Sequence, residues 1–152
     1  TICEHKVQYE SVKARLWELK RNSNLVRVGF DRIGGMVTEV QKWGDRDERY
    51  NAETDLPMSA VPQGMATMGP STMLAECFLR NHQLRMQADP VVEYALAGVQ
   101  LVTGTNGDRK PCKTRSRSVI DPVVAFVMAM AIIKQAGAEA PGAYADITDI
   151  AI

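Results

Sequence analysis

The stretch GTNGDRKPCKTRSRSVIDPVVAFVMAMA, residues 104–131, carries three local instructions in a row. Asn106-Gly107 is a hairpin signal, because a type I′ turn needs positive φ at both central residues. Val99 to Thr103 has a β pattern, and Arg109 to Arg117 is expected to form the return arm. Asp121-Pro122 then pairs a side chain able to cap a helix with a residue suited to the first helical position. The Ala- and Met-rich run behind it predicts a helix to about Gln135. Nearly every position there is apolar, so burial on most sides is expected.

Upstream, Tyr9, Val12, Leu16 and Leu19 recur at spacings of 3, 4 and 3, one face of an amphipathic helix. Leu25 to Phe30 reads LVRVGF and suits a short buried strand, with Asp31 at its carboxyl end. Met36 to Trp43 suggests a second helix ended by Gly44. Asp45 to Asp55, with five acids against two arginines, reads as a solvated loop. Met58 to Val61 suits a short strand, and Pro62 to Pro70 has loop chemistry. Ser71 or Thr72 is expected to cap a helix in which Leu74, Cys77 and Phe78 share a face. Asp89-Pro90 repeats the cap-then-proline device and opens a helix to about Leu96. Helices interleaved with strands, and a late hairpin, indicate an α/β protein.

Composition narrows the function. The chain has 152 residues, 45% hydrophobic and 24% charged, which excludes wholesale disorder. Lys plus Arg is 18 and Asp plus Glu is 18, so a uniformly basic DNA binder is excluded while a local basic patch is not. The longest nearly apolar run, Pro122 to Ile133, is too short to span a bilayer as a helix. No signal-peptide pattern opens the chain. Cys3, Cys77 and Cys112 show no CxxC pair, and His5 and His82 are the only histidines. That argues for a reducing compartment and against a zinc site. Cys77 is expected in the core, His82 on the surface, and Trp17 and Trp43 in packing roles. Met58, Met65, Met68 and Met73 read as core gap-fillers ahead of an adaptable contact surface.

The chain has no Walker-type phosphate loop and no G-x-S-x-G elbow, and carboxylates remain. Asp31 at a strand end and Asp121 at a helix start are the candidates. In open α/β sheets ligands gather beyond the carboxyl ends of strands. Mg²⁺ favours oxygen ligands, and a pair of such ions activates water in phosphodiester hydrolysis. The plain alternatives are that Asp121 is a helix N-cap and that Asp31 begins an ordinary turn. Arg109, Lys110, Lys113, Arg115 and Arg117 form a basic run. On a regular strand the odd positions share one face that suits DNA phosphates, or that protects an edge strand by charge.

Four segments in order, LVRVGFDRIG (25–34), Val61-Pro62-Gln63-Gly64, the Asp89-Pro90 helix and Lys110 to Ala131, resemble the C-terminal nuclease domain of tailed-phage large terminase subunits. The last is the most specific: a Gly-turn hairpin, Lys110-Pro111-Cys112-Lys113, Ser116, Ile120-Asp121, then the Ala/Met helix. The resemblance extends from about Val7 to Ile133. It implies a ribonuclease H-like fold, a mixed sheet flanked by helices. It implies metal-dependent endonucleolytic cutting of concatemeric double-stranded DNA, with Asp31 and Asp121 as catalytic ligands of a two-ion Mg²⁺ or Mn²⁺ site. It also implies DNA, the terminase small subunit and the portal protein as partners, in the host cytoplasm.

This sequence departs from the family pattern at three points. Val119 stands where an arginine is usual, and Pro122 where glycine is frequent. The family's first catalytic aspartate, on an early strand, has no counterpart before the first helix; Glu4 sits in no such strand. The chain begins at Thr1 rather than Met and lacks a preceding ATPase motor. The expectation is therefore a nuclease-domain segment, residues 1–136, lacking its opening strands, followed by a tail, residues 137–152. A sheet edge left exposed by the missing strands would offer a surface for self-association. The competing expectation is an inactive α/β module that docks DNA or packaging partners.

Overall fold

A computed structural model describes residues 9–33, 35–43, 56–84 and 86–139. The readings at Cys3, Glu4, His5, Gly34, Gly44, the acidic loop 45–55 and the tail beyond Glu139 lie outside the described residues, as does the Trp43 side chain. The chain forms two compact units, Thr1–Ala60 and Val61–Ile152.

The first unit holds α1 (Tyr9–Asn22), β1 (Val28–Asp31), α2 (Gly35–Trp43) and most of β2 (Met58–Val61). The 3-4-3 spacing does make a helix of α1. None of its residues is fully buried, and Val12 and Leu19 are exposed. Trp17 lies under the Lys20 ammonium, 5.2 Å from the ring centroid, a cation–π arrangement at i, i+3 spacing. The expected strand at Leu25 starts later, at Val28, and runs through Asp31. It pairs with β2 in a two-stranded sheet.

The second unit holds α3 (Met65–Arg80), α4 (Pro90–Gly98), β3 (Leu101–Thr103), β4 (Arg109–Pro111) and α5 (Asp121–Glu139). Its core joins Val61, Met68, Ile120, Val124, Val127, Met128, Ala131 and Ile132. α5 is buried as its apolar sequence predicts, with Ala125 and Ala129 on its exposed side. Met68 fills the core; Met73 is exposed, so the methionines of this stretch do not act alike.

The loop expected over Pro62 to Pro70 is mostly helix. α3 starts at Met65, and Pro70 sits inside it. Ser71 and Thr72 do not cap; they are buried mid-helix and donate their hydroxyls to the Thr67 and Met68 carbonyls, both at 2.7 Å. That local bond satisfies polar groups that would otherwise be buried at a cost. The buried face of α3 is therefore Met68, Ser71, Thr72 and Ala75. Cys77 is exposed, contrary to the expectation of core packing, while Leu74 and Phe78 are half-buried. His82 is on the surface, in the left-handed region at φ 54, where the chain leaves α3.

Asp89 caps α4 as read from the sequence, accepting from the backbone N–H of Val91 at 2.8 Å and of Val92 at 3.2 Å. β3 and β4 form the expected antiparallel hairpin, with Thr103 opposite Arg109. The turn is not type I′. Gly107 takes φ 82, but Asn106 does not enter the left-handed region. The Gly104 N–H donates to the Asp108 carbonyl at 2.7 Å, leaving Thr105, Asn106 and Gly107 as a three-residue loop. Glycine in the last place fits the common turn-plus-bulge connection.

β4 stops at Pro111, so the return arm does not reach Arg117. Instead the N–H groups of Arg115 and Ser116 donate to the Cys112 carbonyl, turning the chain. The segment then crosses the end of α4, where a Cβ on Gly98 would lie 2.0 Å from Ser118 Oγ. Gly98→Ala is expected to destabilise the protein by roughly 1–3 kcal/mol through overpacking. A lowered urea midpoint would show it; an unchanged midpoint would mean that the Ser118 segment moves aside freely.

Candidate functional site

Asp31 ends β1, and its Oδ1 accepts the Ile33 backbone N–H at 2.9 Å. This is the local turn bond that aspartate makes after a strand. Its other carboxylate oxygen makes no hydrogen bond to the described residues.

Asp121 is the first residue of α5, with its side chain 63% exposed. It does not behave as a side-chain cap. Its Oδ1 accepts from Lys113 Nζ at 2.5 Å, across the turn that ends the basic run. The first bond of the helix, from the Val124 N–H, goes to the Ile120 carbonyl. The carboxylate still lies where the helix dipole favours negative charge, an effect worth about 0.3–1 kcal/mol. An exposed ion pair of this kind adds only about 0–1 kcal/mol to stability. The pairing therefore does little to hold the fold together.

The five basic residues do not share one strand face, because the strand ends before Cys112. Arg109 pairs with Glu76 of α3 at 2.6 Å, and Lys110 donates to the Gln63 carbonyl at 2.8 Å. These two bind the hairpin to α3 and to the segment before it. Lys113 serves Asp121. Arg115 and Arg117 are exposed and have no ion-pair partner among the described residues. The Glu76 and Gln63 partners were hidden from sequence reading, since they lie 33 and 47 residues away along the chain.

Cys112 lies between these groups. The Thr114 hydroxyl at 3.3 Å, foremost, and the Arg115 backbone N–H hold its thiol below the usual range. Below the ordinary thiol pKa of ~8.5, Cys112 should therefore carry more thiolate than a free cysteine. Peptide-resolved iodoacetamide labelling should show its rate rising at lower pH than that of free cysteine. A profile at or above free cysteine would contradict this.

In a comparison with solved structures, the chain matches the crystal structure of the HK97 bacteriophage large terminase with a TM-score of 0.68. The match has 27% sequence identity and covers 83% of this chain. The chain has a terminase-like fold. It spans 25% of the length of that terminase chain. No protein-family model and no curated protein matches it.

Several terminase-like segments of the sequence have structural work to do. Val61 of Val61-Pro62-Gln63-Gly64 is fully buried in the core, and Gln63 also reaches Met128 Sδ with its amide at 3.6 Å. Lys110 and Pro111 belong to β4, with Pro111 buried. Asp121 and Lys113 are different: both are exposed, and neither is needed for packing.

Among the described residues, no three His, Cys, Asp or Glu side chains form a metal-ligand group. Asp31 and Asp121 each keep one carboxylate oxygen without a hydrogen bond from the described residues. Mg²⁺ sites often take only one or two carboxylates and complete their shell with water and phosphate oxygens. No helix among the described residues is long and apolar enough to cross a membrane.

Proposed function

We propose that the chain is a nuclease-domain segment of a DNA-packaging terminase, residues 1–136 with a tail at 137–152. The supporting observation is the structural match to the HK97 large terminase at 27% identity over 83% of the chain. In this reading the fold is ribonuclease H-like. The activity is metal-dependent endonucleolytic cutting of double-stranded DNA in the host cytoplasm. Asp31 and Asp121 are its metal ligands. A bound pair of Mg²⁺ or Mn²⁺ ions would supply an activated water and charge stabilisation at the leaving oxygen.

The chain's own residues have definable tasks. Asp121 is the first residue of the largely buried helix α5, which sets where its backbone lies. Lys113 balances its charge. Arg115 and Arg117 are available to phosphates, each contact adding to the salt dependence of binding. Arg109 and Lys110 act on DNA only if they leave Glu76 and Gln63. Their first role is to hold the hairpin.

A second reading is an inactive module that docks DNA, the small subunit, the portal protein or a second copy. The Lys113–Asp121 pair favours it, because one oxygen of that carboxylate is already engaged by a cation. Nicking of supercoiled plasmid with Mn²⁺ by the chain and by Asp121→Asn distinguishes the two.

A further inference from the structure

α4 exposes an apolar face that the fold does not use. Val91 and Tyr94 are each 65% exposed, and Val119, beyond the turn, is 69% exposed. Their placement follows from Gly98. A Cβ there would meet Ser118 Oγ at 2.0 Å, so the bare side of Gly98 faces Ser118. Tyr94 lies four residues earlier on the same helix face, about 5–6 Å away between Cβ positions. The Arg117 N–H donates to the Gly98 carbonyl at 3.3 Å, which fixes this segment across the helix end. An exposed aromatic ring therefore stands one helical turn from a segment bearing Arg115 and Arg117.

We propose that Tyr94, with Arg115 and Arg117, forms a contact surface for single-stranded DNA, Tyr94 stacking on an unpaired base while the arginines hold phosphates. This rests on the DNA reading above and adds the strand state that the surface selects. The charge argues for a nucleic acid rather than an apolar protein segment. Two arginines without ion-pair partners among the described residues flank the patch; of the exposed acids near it, Asp89 is engaged by the Val91 and Val92 N–H groups and Asp121 by Lys113, which leaves Glu93. An intact duplex offers phosphates to the arginines but no open base face to the ring. A single strand offers both, and base–aromatic stacking is worth about 1–3 kcal/mol per base.

The test is fluorescence anisotropy with a labelled mixed-sequence 20-nucleotide strand and its blunt duplex. Tyr94→Ala is expected to weaken single-strand binding by about 5- to 150-fold and duplex binding by less than about twofold. Tyr94→Phe should retain most of the single-strand affinity. Arg117→Ala should weaken both forms and flatten the log–log salt slope by roughly 0.7–0.9. Tyr94 is exposed, so far-UV circular dichroism should show both Tyr94 variants folded. Equal loss on both DNA forms, or no loss on the single strand, overturns the inference and leaves the terminase reading intact. A dimer abolished by Tyr94→Ala, with single-strand binding unaltered, also overturns it in favour of a protein contact. Failure of the parent chain to bind either DNA form removes the DNA reading and the inference together.

Discussion

Replacing Ile120 with alanine should destabilise the protein by about 2–5 kcal/mol, the usual cost of truncating a large buried aliphatic side chain. Ile120 is 1% exposed and packs in the core that holds Val61, Met68, Val124 and Val127. Its carbonyl accepts the Val124 N–H at 3.0 Å and so starts the hydrogen-bond ladder of α5. Alanine keeps that backbone bond. The loss is then one of buried surface and of the cavity left behind, set by how far α3 and α5 can close over it. Val119→Ala is the natural control, since its neighbouring side chain is 69% exposed; it should change stability by no more than about 0.5 kcal/mol. Urea unfolding followed by far-UV circular dichroism measures both. A loss below about 1 kcal/mol for Ile120→Ala would contradict the core assignment.

Asp121→Asn should lower metal-dependent DNA cleavage by at least about a hundredfold. Loss of a residue that merely supports a metal ligand often costs 10–100-fold, and a ligand should cost no less. The substitution is nearly isosteric, and its amide oxygen still accepts from Lys113. The position is exposed, and the ion pair it loses adds only about 0–1 kcal/mol. Stability should therefore change little. Together, the two predictions separate neighbouring residues by role: Ile120 affects folding and Asp121 affects chemistry. If Asp121→Asn unfolds the protein as Ile120→Ala does, the carboxylate has a structural role that the exposed pair does not reveal.

The readable parts of this sequence were those where local chemistry decides. Asp89-Pro90 caps a helix because the cap and the proline act within three residues. α5 is legible because its apolar run is continuous. The α3 start was not, because Gly69-Pro70 and Ser71-Thr72 have turn chemistry, and tertiary burial overrode it. Small residues gave α3 a close-packed face, and the two hydroxyls found partners one turn back. The hairpin was legible but its turn class was not, since glycine at one position serves either geometry. The basic run was readable as charge but not as shape. Pro111 ends the strand, and the long-range partners Glu76 and Gln63 take two of its cations. The positions of the two aspartates were legible, Asp31 at the end of a strand and Asp121 at the start of a helix. The Lys113–Asp121 pair was not, because it depends on the turn at Cys112.

The most direct test is supercoiled-plasmid nicking by the parent chain with Mn²⁺, with EDTA and with Asp121→Asn beside it. The parent chain is expected to nick the plasmid, EDTA to stop the nicking, and Asp121→Asn to reduce it by at least about a hundredfold. No nicking by the parent, or nicking that persists undiminished in Asp121→Asn, would contradict the nuclease reading.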